Sequence, residues 1–167
     1  MARDDSGRAV AWSRQLSQAH AALRQRLHDV QAGIDSVQAG SDSVQAGEDG
    51  LLTHCLAFCA ALTAHHQGED AGLFDEVLRV RPDLAAAMRK LAEDHHMIAG
   101  ILTAVRDLAD EAALATAERR QVISRELGGL AAIMESHFGY EERTISAAID
   151  DQVRDTGWTA AVFEFRS

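Results

Sequence analysis

The chain has 167 residues, of which 47% are hydrophobic and 5% aromatic, with a single proline. This composition fits one all-α domain over residues 1–167. The formal net charge of −10 argues against nucleic acid or an anionic membrane as a partner, because either needs a basic face. The sequence contains neither an apolar run of the ~20 residues that span a membrane nor an apolar signal-peptide core, so we expect a cytoplasmic protein.

The first predicted helix covers about residues 9–30, where leucines recur at helical spacing as Leu16, Leu23 and Leu27. His20 lies within this apolar stripe. A single histidine on an apolar face is more often a hydrogen-bonded core residue than a metal ligand, so His20 taken alone does not indicate a site.

A short repeat follows the first helix. The tetrapeptide V-Q-A-G occurs at Val30–Gly33, Val37–Gly40 and Val44–Gly47, with a seven-residue period. Three short copies are too few for a solenoid. Because a glycine costs a helix about 1 kcal/mol relative to alanine, we expect a connection of partial helical character that carries no chemistry.

The second predicted helix covers about residues 48–69 and is apolar on more than one face, which indicates a central position. Cys55 and Cys59 are one turn apart, where parallel Cβ vectors suit a disulfide poorly, so we expect two small buried side chains. His54 precedes His65 by about 16 Å along the axis, too far for one metal pair to bind both. We expect His54 to be buried and hydrogen-bonded. Alternatively, His54 would line the route to the site, cap a neighbour or bind a separate ion.

The third predicted helix runs from Pro82, which suits a first helical turn, to about residue 109. Its apolar stripe surrounds His95 with the same spacing that surrounds His20, using Leu91, Ile98 and Leu102. The fourth predicted helix begins after Thr116 as the N-cap residue and continues to Ile149. The chain therefore reads as two helical hairpins, each with one histidine on its first helix.

Residues 150–167 form a predicted C-terminal tail outside the bundle of about residues 9–149. The large aromatic side chains of this tail are Trp158, Phe163 and Phe165, the last of which lies outside the part of the chain that the structure describes. We expect them to pack a tail or short helix against the bundle, with a dimer contact as the alternative.

The pattern H-x-x-x-E-[D/E]-x-x-[L/I] occurs on the second helix of each hairpin. It contains His65 with Glu69 and, in the second copy, His137 with Glu141. Residues four apart lie on one helical face, so each copy directs an imidazole and a carboxylate at one point. One such pair is common on helix surfaces, but two copies in a small chain favour a metal site in the core.

The candidate metal ligands come from four helices and are His20, His65, Glu69, His95, His137 and Glu141. This set exceeds what one tetrahedral zinc needs and suits two bridged ions of octahedral type in a helical bundle. Imidazole and carboxylate donors favour iron, with manganese or zinc less suitable. The acidic residues after the two glutamates, Asp70 and Glu142, point about 100° away round the helix, so we expect them to support the ligands or face solvent.

These motifs resemble those of the hemerythrin-like family of HHE cation-binding domains, and the resemblance extends over about Leu16–Ile149. It implies an up-down four-helix bundle around a non-haem di-iron centre with an oxo or hydroxo bridge. One half of the site would use His20, His65 and Glu69, and the other half would use the corresponding residues of the second hairpin. The two glutamates would be the candidate bridges.

One position departs from the family pattern. Oxygen-carrying members have a further histidine one turn after the first histidine of the third helix, where this chain has Ala99. The missing ligand leaves a coordination position that must be filled by water, His54, His66 or an exogenous molecule. This argues against simple reversible oxygen carriage. His66 and His96 are also alternatives to the histidines directly before them, although the repeated spacing favours the first of each pair.

The resemblance implies a di-iron protein, monomeric or homodimeric, that binds or senses dioxygen, peroxide or nitric oxide. Peroxidase- or catalase-like turnover would be the enzymatic form of this function. The alternatives are an iron-storage or metal-handling protein without turnover and a metal-free interaction bundle.

Overall fold

The computed structural model describes residues 5–38, 44–112, 116–149 and 153–164, and all regular structure in these ranges is helical. In chain order the elements are α1 (Asp5–Gln38), α2 (Val44–Gly68), a π-helical turn (Glu69–Leu73), α3 (Phe74–Val80), a 3-10 turn (Pro82–Leu84), α4 (Ala85–Ala112), α5 (Ala117–Ile149) and α6 (Thr159–Phe163). The prediction of an all-α chain is confirmed. Within the described ranges, none of these helices is both long enough and apolar enough to cross a membrane.

The long helices α1, α2, α4 and α5 contact one another in a closed order. α1 packs against α2 and α5, and α4 packs against the same two helices. Each long helix therefore has two long neighbours, and its apolar stripe is covered from both sides.

Two apolar clusters fill the space between these helices. The Phe58 cluster includes Leu23, Phe58, Ile98 and Leu127. The Trp158 cluster includes Leu16, Leu73, Leu91, Ile145 and Trp158. Along α1 and α4 the chain passes the Trp158 cluster before the Phe58 cluster. Along α5, and from α2 through the π turn into α3, it passes them in the reverse order. The sequence-predicted ligands lie at the boundary of the two clusters. Along the chain, five of them lie between residues of the two clusters, and His137 directly precedes Phe138, the last residue of the Phe58 cluster on α5.

α1 is longer than predicted and ends at Gln38. The first copy of V-Q-A-G therefore lies inside a helix, and the third copy begins α2 at Val44. Val30 and Ile34 continue the apolar stripe of α1 and are buried in the Phe58 cluster. Their burial outweighs the low helix propensity of the glycine between them. Residues 39–43, which include the end of the second copy, lie outside the described part of the chain.

Three further expectations concern single side chains. His54 is exposed on α2 rather than buried, because it lies off the stripe that Cys55, Cys59 and their neighbours form. The two cysteines are buried free thiols, as predicted. Thr116 precedes α5, and its Oγ1 accepts a hydrogen bond of 3.4 Å from the Arg119 N–H, which agrees with the predicted N-cap.

α6 packs directly on α2 through two glycines. A Cβ added at Gly68 would lie 2.7 Å from the Cβ of Ala161, and one added at Gly72 would lie 2.6 Å from the Cβ of Trp158. Both distances are shorter than van der Waals contact. Glycine at these two positions therefore lets the C-terminal helix approach the end of α2 and the π turn.

Candidate metal centre

Each of the four long helices places one of the predicted ligand histidines at the boundary of the two apolar clusters. Nε2 of His20 on α1 and Nε2 of His65 on α2 face each other at 3.1 Å. Nε2 of His95 on α4 and Nε2 of His137 on α5 face each other at 3.0 Å. No side chain in this set is more than 4% exposed. The structure therefore brings the four predicted histidines together as a His20–His65 pair and a His95–His137 pair.

Glu69 faces both histidine pairs with its two carboxylate oxygens. Oε1 lies 3.0 Å from Nε2 of His65, and Oε2 lies 3.4 Å from Nε2 of His95. Glu69 is also the first residue of the π turn, where its carbonyl accepts a hydrogen bond from the Phe74 N–H. π turns are frequent at functional sites. This one begins at Glu69, so His65 and Glu69 keep the four-residue spacing that puts them on one helical face, and the change in helical phase affects only the residues that follow.

Glu141 occupies the corresponding position on α5. Its Oε2 lies 3.5 Å from Nε2 of His20 and 3.6 Å from Nε2 of His137. The side chain is fully buried, as is that of Glu69. All six residues predicted from the sequence therefore converge, and each carboxylate lies beside both histidine pairs.

The opposite ring nitrogens of two histidines are held by the acidic residues that follow the buried glutamates. Nδ1 of His20 donates to Oε1 of Glu142 at 2.8 Å, and this bond lowers the pKa of the Glu142 carboxyl. Nδ1 of His95 donates to Oδ1 of Asp70 at 2.8 Å. Such bonds fix the ring orientation and the tautomer, and they leave Nε2 without a hydrogen. Asp70 and Glu142 thus support the histidines, as expected from the sequence.

The other two histidines have Nδ1 neighbours that the sequence did not indicate. Nδ1 of His65 donates to the main-chain carbonyl of Val162 on α6 at 2.8 Å. Nδ1 of His137 lies 3.5 Å from Oδ2 of Asp94 on α4. The C-terminal helix therefore takes part in orienting a central imidazole, although Val162 lies 97 positions from His65 in the sequence.

The Nε2 atoms of His20 and His65 have no hydrogen to share. In His20 and His65 the hydrogen is on Nδ1, where it is donated to Glu142 and Val162. Burial lowers the pKa of His20 to about 3 and that of His137 to about 4, and burial also lowers the pKa of His65. These rings are therefore neutral near neutral pH. Two lone pairs that face each other at this distance repel, and a cation between them would be favourable.

The two buried glutamates would carry their charge only beside a cation. Burial raises the pKa of Glu69 to about 8, and burial together with the Glu69 carboxyl raises the pKa of Glu141 well above its ordinary value. Within the described part of the chain, neither carboxylate has a hydrogen-bond donor for either oxygen. A buried carboxylate is costly unless it is paired or coordinates a metal. The combination of imidazole and carboxylate donors therefore fits a pair of metal ions.

His66 is a further histidine at the centre. Its side chain is 5% exposed, and its ring stacks on that of His95 with 4.0 Å between the centroids. One ligand atom from each of His66, His95 and His137 can be chosen so that all three lie within 4.8 Å of one another. The next candidate in the sequence, His96, is exposed, which agrees with the preference for His95.

A pocket of about 230 Å³ lies between α2 and α4 beside His66 and His95. Its wall also includes His96 and Ala99. Ala99 follows His95 by one helical turn and presents only a methyl group there. The structure therefore has space beside the His95–His137 pair that a larger residue at position 99 would fill.

The sequence model of the hemerythrin HHE cation-binding domain matches residues 13–149. This range contains both motifs, the two histidines of α1 and α4, and the acidic residues that support them. No curated protein and no solved structure matches the chain. Because the matched range is well over half of the sequence and includes all the candidate ligands, the chain belongs to the hemerythrin HHE cation-binding domain family.

Proposed function

We propose that the protein binds two iron ions between the apolar clusters and uses them to bind or sense a small molecule. The observation that carries this proposal is the two pairs of facing Nε2 atoms, with two buried carboxylates beside them whose oxygens have no hydrogen-bond partner in the described residues. The proposed ligands are His20, His65, Glu69, His95, His137 and Glu141.

The geometry favours one ion for each histidine pair. Glu69 turns one oxygen towards each pair, which is the arrangement of a bridging carboxylate. Glu141 lies between His20 and His137 and is the second proposed bridge. Imidazole with carboxylate suits iron, and manganese or zinc would suit the site less well. An oxo or hydroxo group would be the remaining bridge.

When bound, the iron pair would supply coordination and redox chemistry for dioxygen, peroxide or nitric oxide. The protein itself supplies enclosure and fixed ligand orientation. Phe138 stacks on the His20 ring with 4.0 Å between centroids, and the six ligand side chains are at most 4% exposed. Such enclosure favours molecules of a few atoms, and peroxidase- or catalase-like turnover is the enzymatic form of this proposal.

For the architecture we propose an up-down bundle of the four long helices with the C-terminal segment packed on it. The alternating order in which these helices pass the two apolar clusters supports this arrangement. The contacts of each long helix with two others agree with it.

The decisive experiment is to measure the metal content and absorption spectrum of protein purified without added iron. We expect two irons per chain and near-ultraviolet charge-transfer bands that change when peroxide or nitric oxide is added. Iron that exchanges freely with a chelator, with no spectral response, would instead favour a metal-handling protein. Absence of bound metal even after reconstitution with iron would overturn the proposal.

A further inference from the structure

His66 Nε2 is a buried polar atom that the six-ligand proposal does not use. It has no hydrogen-bond partner within the described part of the chain, and the residue is only 5% exposed to solvent. An imidazole nitrogen without a partner in the interior is unfavourable unless it binds something. The position of the ring indicates what that partner is.

The His66 ring packs against the His95–His137 pair and not against solvent. It stacks on His95 with an interplanar angle of 11° and meets the His137 ring edge to face with 5.3 Å between centroids. The ligand atoms of the three residues lie within 4.8 Å of one another, close enough for one ion to contact all three. His20, His65, Glu69 and Glu141 form the other such group.

The small side chain of Ala99 leaves space on the side of His95 where His66 lies. Both residues line the pocket between α2 and α4, and Ala99 is one turn from His95 on the same helical face. The methyl group of Ala99 offers no donor to an ion beside His95. α2 thus directs two adjacent histidines, His65 and His66, at the centre, one at each histidine pair. α4 directs only one histidine, His95, at the centre.

We propose that His66 is a third imidazole ligand of the ion at the His95–His137 pair, so that α2 contributes two histidines that bind different ions. This inference rests on the proposed di-iron function. It makes the two ions inequivalent, with three imidazoles around one and two around the other.

The test uses the full chain reconstituted with iron and compares His66→Phe with His66→Ala. Phenylalanine keeps a ring that can stack on His95 but has no nitrogen, so it separates ligation from packing. We expect wild type to show two distinct iron sites by Mössbauer spectroscopy. In both variants one site should change its spectrum, and retention of one iron against a chelator should fall by about tenfold or more. His96→Ala, an exposed neighbour on the same pocket, should leave both readouts unchanged.

Addition of free imidazole to His66→Ala provides a rescue. The deleted side chain leaves a space next to the existing pocket, so imidazole should restore the wild-type iron spectrum, and benzene of similar size should not. Circular dichroism checks that the helices remain; if His66→Phe is unfolded, the rescue of His66→Ala decides. If a folded His66 variant kept the wild-type iron spectrum and iron retention, this inference would be overturned. The proposed function would still stand, because the wild type would still bind iron. A wild type without iron would refute the function itself.

Discussion

Glu142 and His20 are 122 positions apart in the sequence, and the Glu142 carboxylate accepts a 2.8 Å hydrogen bond from Nδ1 of His20. Asp70 accepts the corresponding bond from His95. In both cases the acidic residue directly after a buried glutamate reaches a histidine of the other helical hairpin. The second acidic position of each motif therefore connects the two halves of the chain.

Replacing Glu142 by alanine should weaken metal binding without removing a ligand. The His20 ring would lose the hydrogen bond that fixes its orientation and tautomer, and loss of such a bond typically lowers metal affinity by about 10- to 100-fold. Competition with a chelator of known affinity measures the effect. Glu135→Ala is the matched control, because Glu135 is exposed on the same helix and pairs with Arg24. Equal affinities for the two variants would contradict the supporting role of Glu142.

The double variant His137→Ala, Glu141→Ala should lose at least one metal per chain. It removes one imidazole of the His95–His137 pair and one proposed bridge, while the apolar residues on either side of them in α5 remain. Helix content should therefore be retained in circular dichroism. Metal analysis of the folded variant is the measurement, and unchanged occupancy would refute the ligand assignment.

Metal affinity should increase with pH towards about pH 8. Burial holds the pKa of the metal-free Glu69 carboxyl at about 8, so below that pH this group is protonated and must release a proton before it can bind an ion. The cost is about tenfold in apparent affinity per pH unit for this group. His20 and His137 add little competition in this range, because the pKa of His20 is about 3 and that of His137 about 4.

Titration calorimetry in buffers of different ionisation enthalpy would measure the protons released when the metal binds. Protein with Glu69→Gln is the control, since the amide has no proton to lose and should show a weaker dependence on pH. An affinity that is the same at about pH 6 and about pH 8 in wild type would contradict protonation of the buried carboxylates.

Gly72→Ala should destabilise the protein and loosen the C-terminal helix. The added Cβ would lie 2.6 Å from the Cβ of Trp158, so α6 must shift, at a cost of about 1–3 kcal/mol. Gly100→Ala is the control: Gly100 is exposed in α4 with nothing within 4 Å of a new Cβ, and alanine there should be neutral or stabilise by up to about 1 kcal/mol. Denaturant unfolding compares the two, and equal stabilities would show that α6 does not require this close approach.

The sequence predicts the parts of the centre that depend on helical periodicity. Placing His65 four residues before Glu69 is enough to put both on one face, and the repeated apolar spacing around His20 and His95 indicates which faces meet. Asp70 is predictable in the same way, since its phase excludes it from the ligand position but keeps it near. These predictions need only the geometry of single helices.

Other features depend on how helices pack and could not be read from one helix at a time. His66 is about 100° from His65, and only the position of α4 makes it a neighbour of His95. The length of α1 was underestimated because the glycines of the repeat indicate a break, whereas burial of Val30 and Ile34 sustains the helix. The signal for His66 was present in the doubled histidine, but it did not distinguish a substitute ligand from an additional one.

The acceptor that orients His65 is a peptide carbonyl, that of Val162. A side-chain replacement at position 162 leaves that oxygen in place, so alanine scanning across α6 would miss its contribution. Truncation before this helix, or semisynthesis of an ester in place of the amide that carries the carbonyl, would reveal it. A survey of this protein by point substitution alone would therefore underestimate how much α6 contributes to the proposed metal site.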